Sequence, residues 1–289
     1  MAKKKKITTT VTTTTITETL TNEKTHIICI LDRSGSMSSI INASISGFNE
    51  FLGKQKALPD QASISVVLFD DQFQMLYDNV DIKNAELLTA EVWKPRGMTA
   101  LYDSIGKSIN IEKAKLAKLG KEAPAKVLVC IVTDGEENAS EEYKGEAGRK
   151  AIKSLIKDCE TNDNWNFIYL ASGQDAFAVG KNFGMSYGNT ITYTANAAGV
   201  QGMSMVLNNA TSSYRSMNSN SGNFKKMSKS LITTDEPELN NSDPQNLKGN
   251  LTVSGTITTG GNTNATGVVD GTIFTNSNST IIPDLKDKK

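Results

Sequence analysis

Two unbroken apolar runs, each closed by an aspartate, most constrain how this chain can fold. The first, IICIL, ends at Asp32, and the second, VLVCIV, continues through Thr133 to Asp134. Apolar runs without polar alternation are typical of strands buried on both faces, as in parallel sheets covered by helices. The carboxyl ends of such strands share one edge of the sheet, so we expect Asp32 and Asp134 to lie close together.

Amphipathic stretches alternate with short apolar runs from residue 25 onward. This alternation predicts an α/β fold with a doubly wound, Rossmann-like, mostly parallel sheet and helices on both faces. The predicted strands are His26 to Asp32, Ser63 to Phe69, Gln74 to Tyr77, Lys126 to Thr133, Trp165 to Ala171 and Thr190 to Tyr193. The predicted helical stripes are Ile41, Ile45, Phe48 and Leu52; Leu101, Ile105 and Ile109; Ala147, Ala151, Leu155 and Cys159; and Val200, Met203, Leu207, Ala210 and Tyr214.

Both ends of the chain differ in composition from the middle. Hydrophobic residues make up 38% of the sequence but concentrate between Thr25 and Met217, whereas Thr, Ser, Asn, Gly and Lys dominate the ends. We therefore predict three parts: a Thr-rich N-terminal arm over residues 1–23, the α/β domain over 24–217, and a C-terminal β arm over 218–289. The N-terminal arm has too few apolar side chains to be stable unless it pairs with another strand edge, and the C-terminal arm is expected to be either flexible or ordered by partners.

Charge and hydropathy exclude several classes of protein. Lys plus Arg and Asp plus Glu each total 31, so no general attraction to nucleic acid or to an anionic membrane is expected. No stretch approaches the ~18 apolar residues of a membrane span, and no apolar region follows the basic start, so we expect synthesis in the cytoplasm without a signal peptide. Cys29, Cys130 and Cys159 lie in apolar patterns that indicate buried free thiols.

Oxygen ligands follow the first apolar run at alternate positions. Asp32, Ser34 and Ser36 offer one carboxylate and two hydroxyls from a tight loop, a set of hard ligands that suits Mg²⁺ or Mn²⁺. Thr99, just before a predicted helix, is placed to add a hydroxyl, and Asp134 to add a second carboxylate, directly or through water. These five residues are the predicted metal site.

Other acidic residues near this edge are given structural roles. We expect Asp103 to support the first turns of its own helix. We interpret four further carboxylates as solvated loop charges, namely Asp70, Asp71, Glu136 and Glu137.

The spacing of these segments resembles a known family. Three segments are similar to the metal-ion-dependent adhesion site of the von Willebrand factor A family: D-x-S-x-S, then G-x-T-A-L-x-D-x-I, then V-T-D-G-E-E-N. Within that family, the sequence resembles the compact bacterial and phage members. The resemblance implies that a protein partner's Asp or Glu completes the coordination of the metal. The tail segment GNLTVSGTITTGG weakly resembles attachment regions of phage tail fibres and other virion proteins.

Catalytic alternatives are incomplete. A haloacid dehalogenase-type site needs a second aspartate where this chain has Ser34, and a serine hydrolase needs a base, whereas the single histidine, His26, begins the first strand. No phosphate-binding G-x-x-x-x-G-K-[ST] loop is present in the sequence. We therefore expect a binding protein and not an enzyme, with a metal-dependent hydrolase as the least favoured reading.

Two binding roles remain open. In the first, the chain is a virion structural or accessory protein whose arms pair with neighbouring subunits. In the second, it is an intracellular adaptor of an ATPase or a stress-resistance system, located in the cytoplasm.

Overall fold

The computed structural model describes residues 23–172 and 176–232, together with the backbone of residues 267–269 and 272–274. The strands are β1 (Thr25–Asp32), β2 (Ala62–Phe69), β3 (Phe73–Asp81), β4 (Lys126–Thr133), β5 (Trp165–Ser172), β6 (Thr190–Tyr193), β7 (Gly267–Val269) and β8 (Thr272–Phe274). The helices are α1 (Ile41–Ala57), α2 (Leu101–Leu119), α3 (Gly145–Asn162), α4 (Ala176–Asn182), α5 (Ala197–Ser216) and α6 (Phe224–Met227).

The main sheet has six strands in the order β3-β2-β1-β4-β5-β6. β1 pairs in parallel with β2 and β4, and only the edge strand β3 runs antiparallel to its neighbour. The predicted fold class is confirmed, and the predicted strands lie within the observed ones. β3 is longer than predicted, because its nine residues extend beyond Gln74 to Tyr77 at both ends.

Alternate side chains of each central strand enter opposite cores. Ile27, Cys29 and Leu31 of β1 pack with α1 and α5, whereas Ile28 and Ile30 pack with α2 and α3 on the other face. Every residue of β1 is buried, and the same holds for β2, β4 and β5. This double burial accounts for the unbroken apolar runs.

The predicted buried stripe of α3 is wrong at its N-terminal end. Ala147 and Ala151 are exposed, and α3 instead buries Gly148, Ile152 and Ile156. A Cβ at Gly148 would collide with a backbone carbonyl of the preceding loop, so a glycine is required there and the helix is rotated by one residue. The rotation buries two isoleucines in place of two alanines, which removes more apolar surface from water.

The two arms fall mostly outside the described residues. The strand with a bulge predicted over residues 7–20 and the one predicted over 251–257 lie there entirely. β7 and β8 pair as a short antiparallel hairpin within the C-terminal arm. Residues 218–232, grouped with this arm from their composition, pack on the α/β domain instead: Phe224 is buried beside Tyr214, and Ile232 N–H donates to Gly188 O at 2.9 Å.

All three cysteines are free and buried, which confirms the prediction. Cys29 and Cys130 face each other on β1 and β4, and the hydrogen bond between them, together with burial, raises the pKa of the Cys29 thiol well above its usual range. In the part of the chain that the structure describes, no helix combines the length and the apolarity needed to cross a membrane.

Truncation of Phe224 tests whether the segment after α5 stabilises the domain. We expect Phe224→Ala to lower the free energy of unfolding by about 3 kcal/mol, because it leaves a cavity against Tyr214. Met227→Ala, on the same helix but 52% exposed, is the matched control and should change stability little. Urea denaturation of both variants provides the measurement, and equal midpoints would contradict the packing role of this segment.

Candidate metal centre

Parallel pairing places the two aspartate-bearing strand ends side by side. Leu31 of β1 is in register with Val132 of β4, so Asp32 at the end of β1 and Asp134 just after β4 emerge at one edge of the sheet. The chain leaves β1 toward β2 and leaves β4 toward β5, on opposite sides. Open α/β sheets bind ligands at such a switch point.

A short chain of hydrogen bonds links four of the five predicted site residues. Asp32 Oδ1 accepts from Ser34 N–H at 2.6 Å, and the hydroxyl oxygens of Ser34 and Ser36 lie 3.0 Å apart. Ser36 Oγ donates to Asp134 Oδ1 at 2.6 Å. A 3-10 turn over Gly35–Ser39 carries the loop away from the sheet immediately afterwards.

Thr99, the fifth residue, reaches the same point from the loop before α2. A Cβ placed on Gly135 would lie 2.9 Å from Thr99 Oγ1, 3.2 Å from Ser36 Oγ and 3.5 Å from Ser34 Oγ. Three hydroxyl oxygens therefore surround one small space beside Gly135, which any larger residue at that position would fill. The structure brings all five predicted residues together, and their role as metal ligands stays a prediction.

The donor set fits a hard divalent cation. It consists of two carboxylates and three hydroxyls, with neither sulfur nor imidazole, which suits Mg²⁺ or Mn²⁺ better than a soft metal. Within residues 23–172 and 176–232, no three His, Cys, Asp or Glu side chains cluster as a metal site. A cation held at this edge would therefore depend on the hydroxyl oxygens as well as on the carboxylates.

Burial makes the Asp32 carboxyl resist ionisation. Asp32 is fully buried, and this burial raises its pKa to about 6, although hydrogen bonds from Ser34 and Thr133 act in the opposite direction. Burial also raises the pKa of Asp134. Two neighbouring carboxyls that are costly to ionise are typical of functional sites, and a bound cation would favour their charged forms.

Asp70 is the centre of an ion-pair cluster that the sequence analysis did not predict. Interpreted above as a solvated loop charge, it is fully buried and accepts from Arg33 Nε at 3.0 Å and from Arg96 Nε at 2.6 Å. The two guanidinium groups offset the cost of burying the carboxylate. Gly35 N–H also donates to Gly97 O at 3.2 Å, so these contacts fasten the loop after β1 to the loop that carries Thr99.

Glu137 was also interpreted as a solvated loop charge, and that interpretation is wrong. It accepts from Tyr102 N–H at 2.9 Å, at the start of α2, and from Ser140 N–H at 2.7 Å. A carboxylate at this position stabilises the N-terminus of α2 and orders the loop after Asp134. Asp71 and Glu136 are exposed, as predicted.

Asp103 supports both its own helix and a neighbouring loop. It lies in the first turn of α2, as expected, and pairs with Lys107 four residues later at 3.3 Å. Its carboxylate also accepts from the backbone N–H groups of residues 141–143, with the shortest bond, 2.8 Å, from Tyr143. Burial opposes ionisation, but these bonds and Lys107 hold the pKa of Asp103 below its usual value.

Trp93 was not singled out from the sequence. Its indole Nε1 donates to the backbone oxygen of Asp32 at 2.8 Å, and the ring is 1% exposed. It packs edge-on against Phe48 of α1 with ring centroids 6.3 Å apart. It fixes the end of β1 from a long irregular segment that has no helical or strand periodicity, so no pattern could reveal it.

His26 lies at the opposite end of β1 from the site. Its Nδ1 is 2.9 Å from Ser63 Oγ, and its Nε2 is 3.3 Å from Glu112 Oε2. The ring is fully buried, and both of its nitrogens lie close to polar side chains.

Comparisons with known proteins show likeness of fold at low sequence identity. No protein-family model matches this sequence, and no curated protein matches it. A similar solved structure is the ArnB paralog VWA2 of Sulfolobus acidocaldarius, with 21% identity and a TM-score of 0.41, covering 64% of this chain and 44% of that one.

Two further structures are similar. The mussel-byssus proximal thread matrix protein 1, with a zinc-occupied MIDAS motif, has 16% identity and a TM-score of 0.45, covering 65% of this chain and 46% of that one. The vWF domain of the type V pili tip protein Mfa5 of Porphyromonas gingivalis has 10% identity and a TM-score of 0.46, covering 64% and 95%. These values describe fold and assign neither metal nor ligand to this chain.

The buried Asp32 carboxylate should destabilise the metal-free protein. A pKa of about 6 against an ordinary 3.8 corresponds to at most about 3 kcal/mol above pH 6. Asparagine keeps the bond from Ser34 N–H, and the Thr133 hydroxyl can turn toward Gly135 O, 3.1 Å away, and accept from the new amide. We therefore expect Asp32→Asn to raise the free energy of unfolding by about 1 to 2 kcal/mol at about pH 7.5 in EDTA.

The pH dependence of the stability difference between Asp32→Asn and wild type is the control for this prediction. The cost of ionised Asp32 is fully present above the folded pKa of about 6 and disappears as the pH falls below the unfolded value near 4. The advantage of Asp32→Asn in urea denaturation should therefore shrink as the pH is lowered toward 4. If Asp32→Asn were less stable than wild type throughout this pH range, the protein would already compensate the charge of Asp32, and the residue would have a structural role.

Proposed function

We propose that this chain is a von Willebrand factor A-like module that binds a protein partner through a divalent cation. The observation that carries the proposal is the convergence of three hydroxyls and two carboxylates at the switch point of the sheet. The three sequence segments that resemble the family's adhesion site supply these five residues.

Asp32, Ser34, Ser36, Thr99 and Asp134 would hold Mg²⁺ or Mn²⁺, directly or through water. When bound, the cation supplies a position that a carboxylate of the partner can occupy, since Mg²⁺ keeps exchangeable waters. The residues of the chain bind and orient: Trp93 fixes the end of β1, and the Arg33 and Arg96 pairs with Asp70 hold the two ligand loops together.

A binding role is favoured over hydrolysis because two carboxylates beside the site, Asp70 and Glu137, are already engaged. Asp70 accepts from two arginines, and Glu137 accepts from backbone N–H groups around Ser140. A general base needs a free lone pair directed at the water that it deprotonates. His26 is buried at the other end of β1, and we propose that the protein is not an enzyme.

The two arms extend the proposal to assembly. Glu23 accepts from Ser219 N–H at 2.8 Å beside Lys126, the first residue of β4. Ile232 N–H donates to Gly188 O, just before β6. Glu23 and Ile232 therefore both contact residues at the amino ends of strands, and not the edge of the sheet that carries Asp32 and Asp134. We propose a virion structural or accessory protein in which the arms pair with neighbouring subunits, leaving the metal face accessible to a partner.

Metal binding is tested by isothermal titration of the EDTA-treated full chain with MnCl₂ or MgCl₂. We expect Ser36→Ala to weaken binding by about tenfold or more, because it removes one hydroxyl and the bond to Asp134. Ser38→Ala is the matched control in the same turn, since Ser38 Oγ bonds only to Gly35 O, and it should bind as wild type does. Equal affinities for all three proteins would remove the basis of the proposal.

Assembly is tested by sedimentation of the full chain beside residues 23–232. The full chain should associate, because each arm needs a second strand edge, and the shorter chain should be a monomer. Two monomers under all solution conditions tested would contradict the assembly role. Co-purification of an ATPase with wild type but not with Asp32→Ala would favour the intracellular adaptor instead.

A further inference from the structure

A groove on the domain, separate from the metal edge, concentrates lysines. It has a volume of about 460 Å³ and is lined by Lys153 and Lys157 of α3, by Lys225 of α6, by Lys229 and by Glu160. The remaining lining is one threonine and one glycine. Lys153 and Lys157 are four residues apart on α3, which places like charges together and is unfavourable on a helix.

The positive charge of this lysine groove is not neutralised by ion pairs. In the described part of the chain, no carboxylate lies within 4.0 Å of the four ammonium groups. The acidic side chains on either side of Glu160 in sequence, Asp158 and Asp163, both pair with Lys113 of α2, at 2.6 and 2.8 Å, although Asp163 also interacts electrostatically with Lys225. Lys225 Nζ donates to the backbone oxygen of Glu160 at 2.7 Å, which holds this ammonium at the C-terminal end of α3.

Among the described residues that line the lysine groove, Glu160 is the one with an acidic side chain. Its Oε1 is buried without a hydrogen-bond partner. Burial raises the pKa of Glu160 to about 7, although Lys229 and Lys225 act to lower it. Near neutral pH the carboxyl is therefore partly protonated, so it cancels less than one of the four positive charges.

The side chains that line the groove indicate which class of anion it would bind. Lysine ammonium groups are point charges that bind phosphate well, whereas the planar pairing of carboxylates is a property of arginine. The described lining includes no aromatic ring on which a nucleic-acid base could stack. The volume is that of a small-molecule site.

We propose that the lysine groove binds a compact anion that carries several phosphate groups, independently of the proposed metal site. Sodium tripolyphosphate is the probe, titrated calorimetrically into the full chain in buffer free of divalent cations at neutral pH. Chelated buffer prevents the probe from being held through a metal at Asp32, so failure here and failure of the metal proposal are distinguishable.

We expect substitutions of the lysines and of Glu160 to change the affinity for tripolyphosphate in opposite directions. Lys157→Gln with Lys229→Gln should weaken binding about tenfold or more, which is about 1.4 kcal/mol. Glu160→Gln should strengthen it about twofold to threefold, because it removes the partial negative charge and keeps an amide donor. Lys54→Gln with Lys118→Gln removes the same charge from exposed positions on α1 and α2 and is the matched control, with less than about twofold effect expected.

Three results would overturn the proposal. Wild type could fail to bind tripolyphosphate, or the two double variants could lose affinity equally, which would reveal only a general charge effect. Alternatively, the groove could bind a hexaglutamate peptide more tightly than tripolyphosphate, which would assign it to an acidic polypeptide. Circular dichroism melts would check that each variant is folded, which we expect because the substituted lysines are exposed.

Discussion

In-register pairing of β1 with β4 is the constraint on which the other features of this domain depend. Residues from Thr25 to Leu31 face residues from Lys126 to Val132 over the length of both strands. A shift of the register by one residue would exchange the side chains of the two cores, because alternate residues of β1 pack with different helices. It would also separate Asp32 from Asp134. The burial that stabilises the fold thus also sets the distance between the two carboxylates of the candidate site.

Buried charge is treated differently at the two ends of these strands. At the amino end, Lys126 is fully buried but donates to Arg215 O at 2.8 Å, and Arg215 pairs with Asp60 at 2.7 Å. At the carboxyl end, the Asp32 carboxylate accepts from an amide and a hydroxyl but has no cation within ion-pair distance among the described residues. Pairing offsets most of the cost of a buried charge, whereas an uncompensated buried charge is typical of a functional site.

The sequence predicted what depends on local pattern. Apolar runs gave the strands and the doubly wound sheet, and the placement of Ser34, Ser36 and Thr99 beside two strand ends located the candidate site. The buried stripe of α3 could not be read in the same way, because its rotation depends on a close approach of the backbone at Gly148. Asp70 and Trp93 were missed because their partners, Arg96 and the Asp32 carbonyl, are distant in sequence and no periodicity marks them.

The lysine groove shows why an overall charge balance is a weak guide to local binding. The chain has 31 basic and 31 acidic residues, which excludes a long-range attraction to polyanions. Screening limits the field of each charge to about 10 Å at moderate salt, so a ligand in the groove responds mainly to charged groups in and near the lining. Asp158 and Asp163, the acidic residues on either side of Glu160 in sequence, pair with Lys113 and form no ion pair with the four groove lysines. A chain with no net charge can therefore contain a positive groove, because Asp158 and Asp163 form their ion pairs with Lys113 of α2 and not with the lysines of the groove.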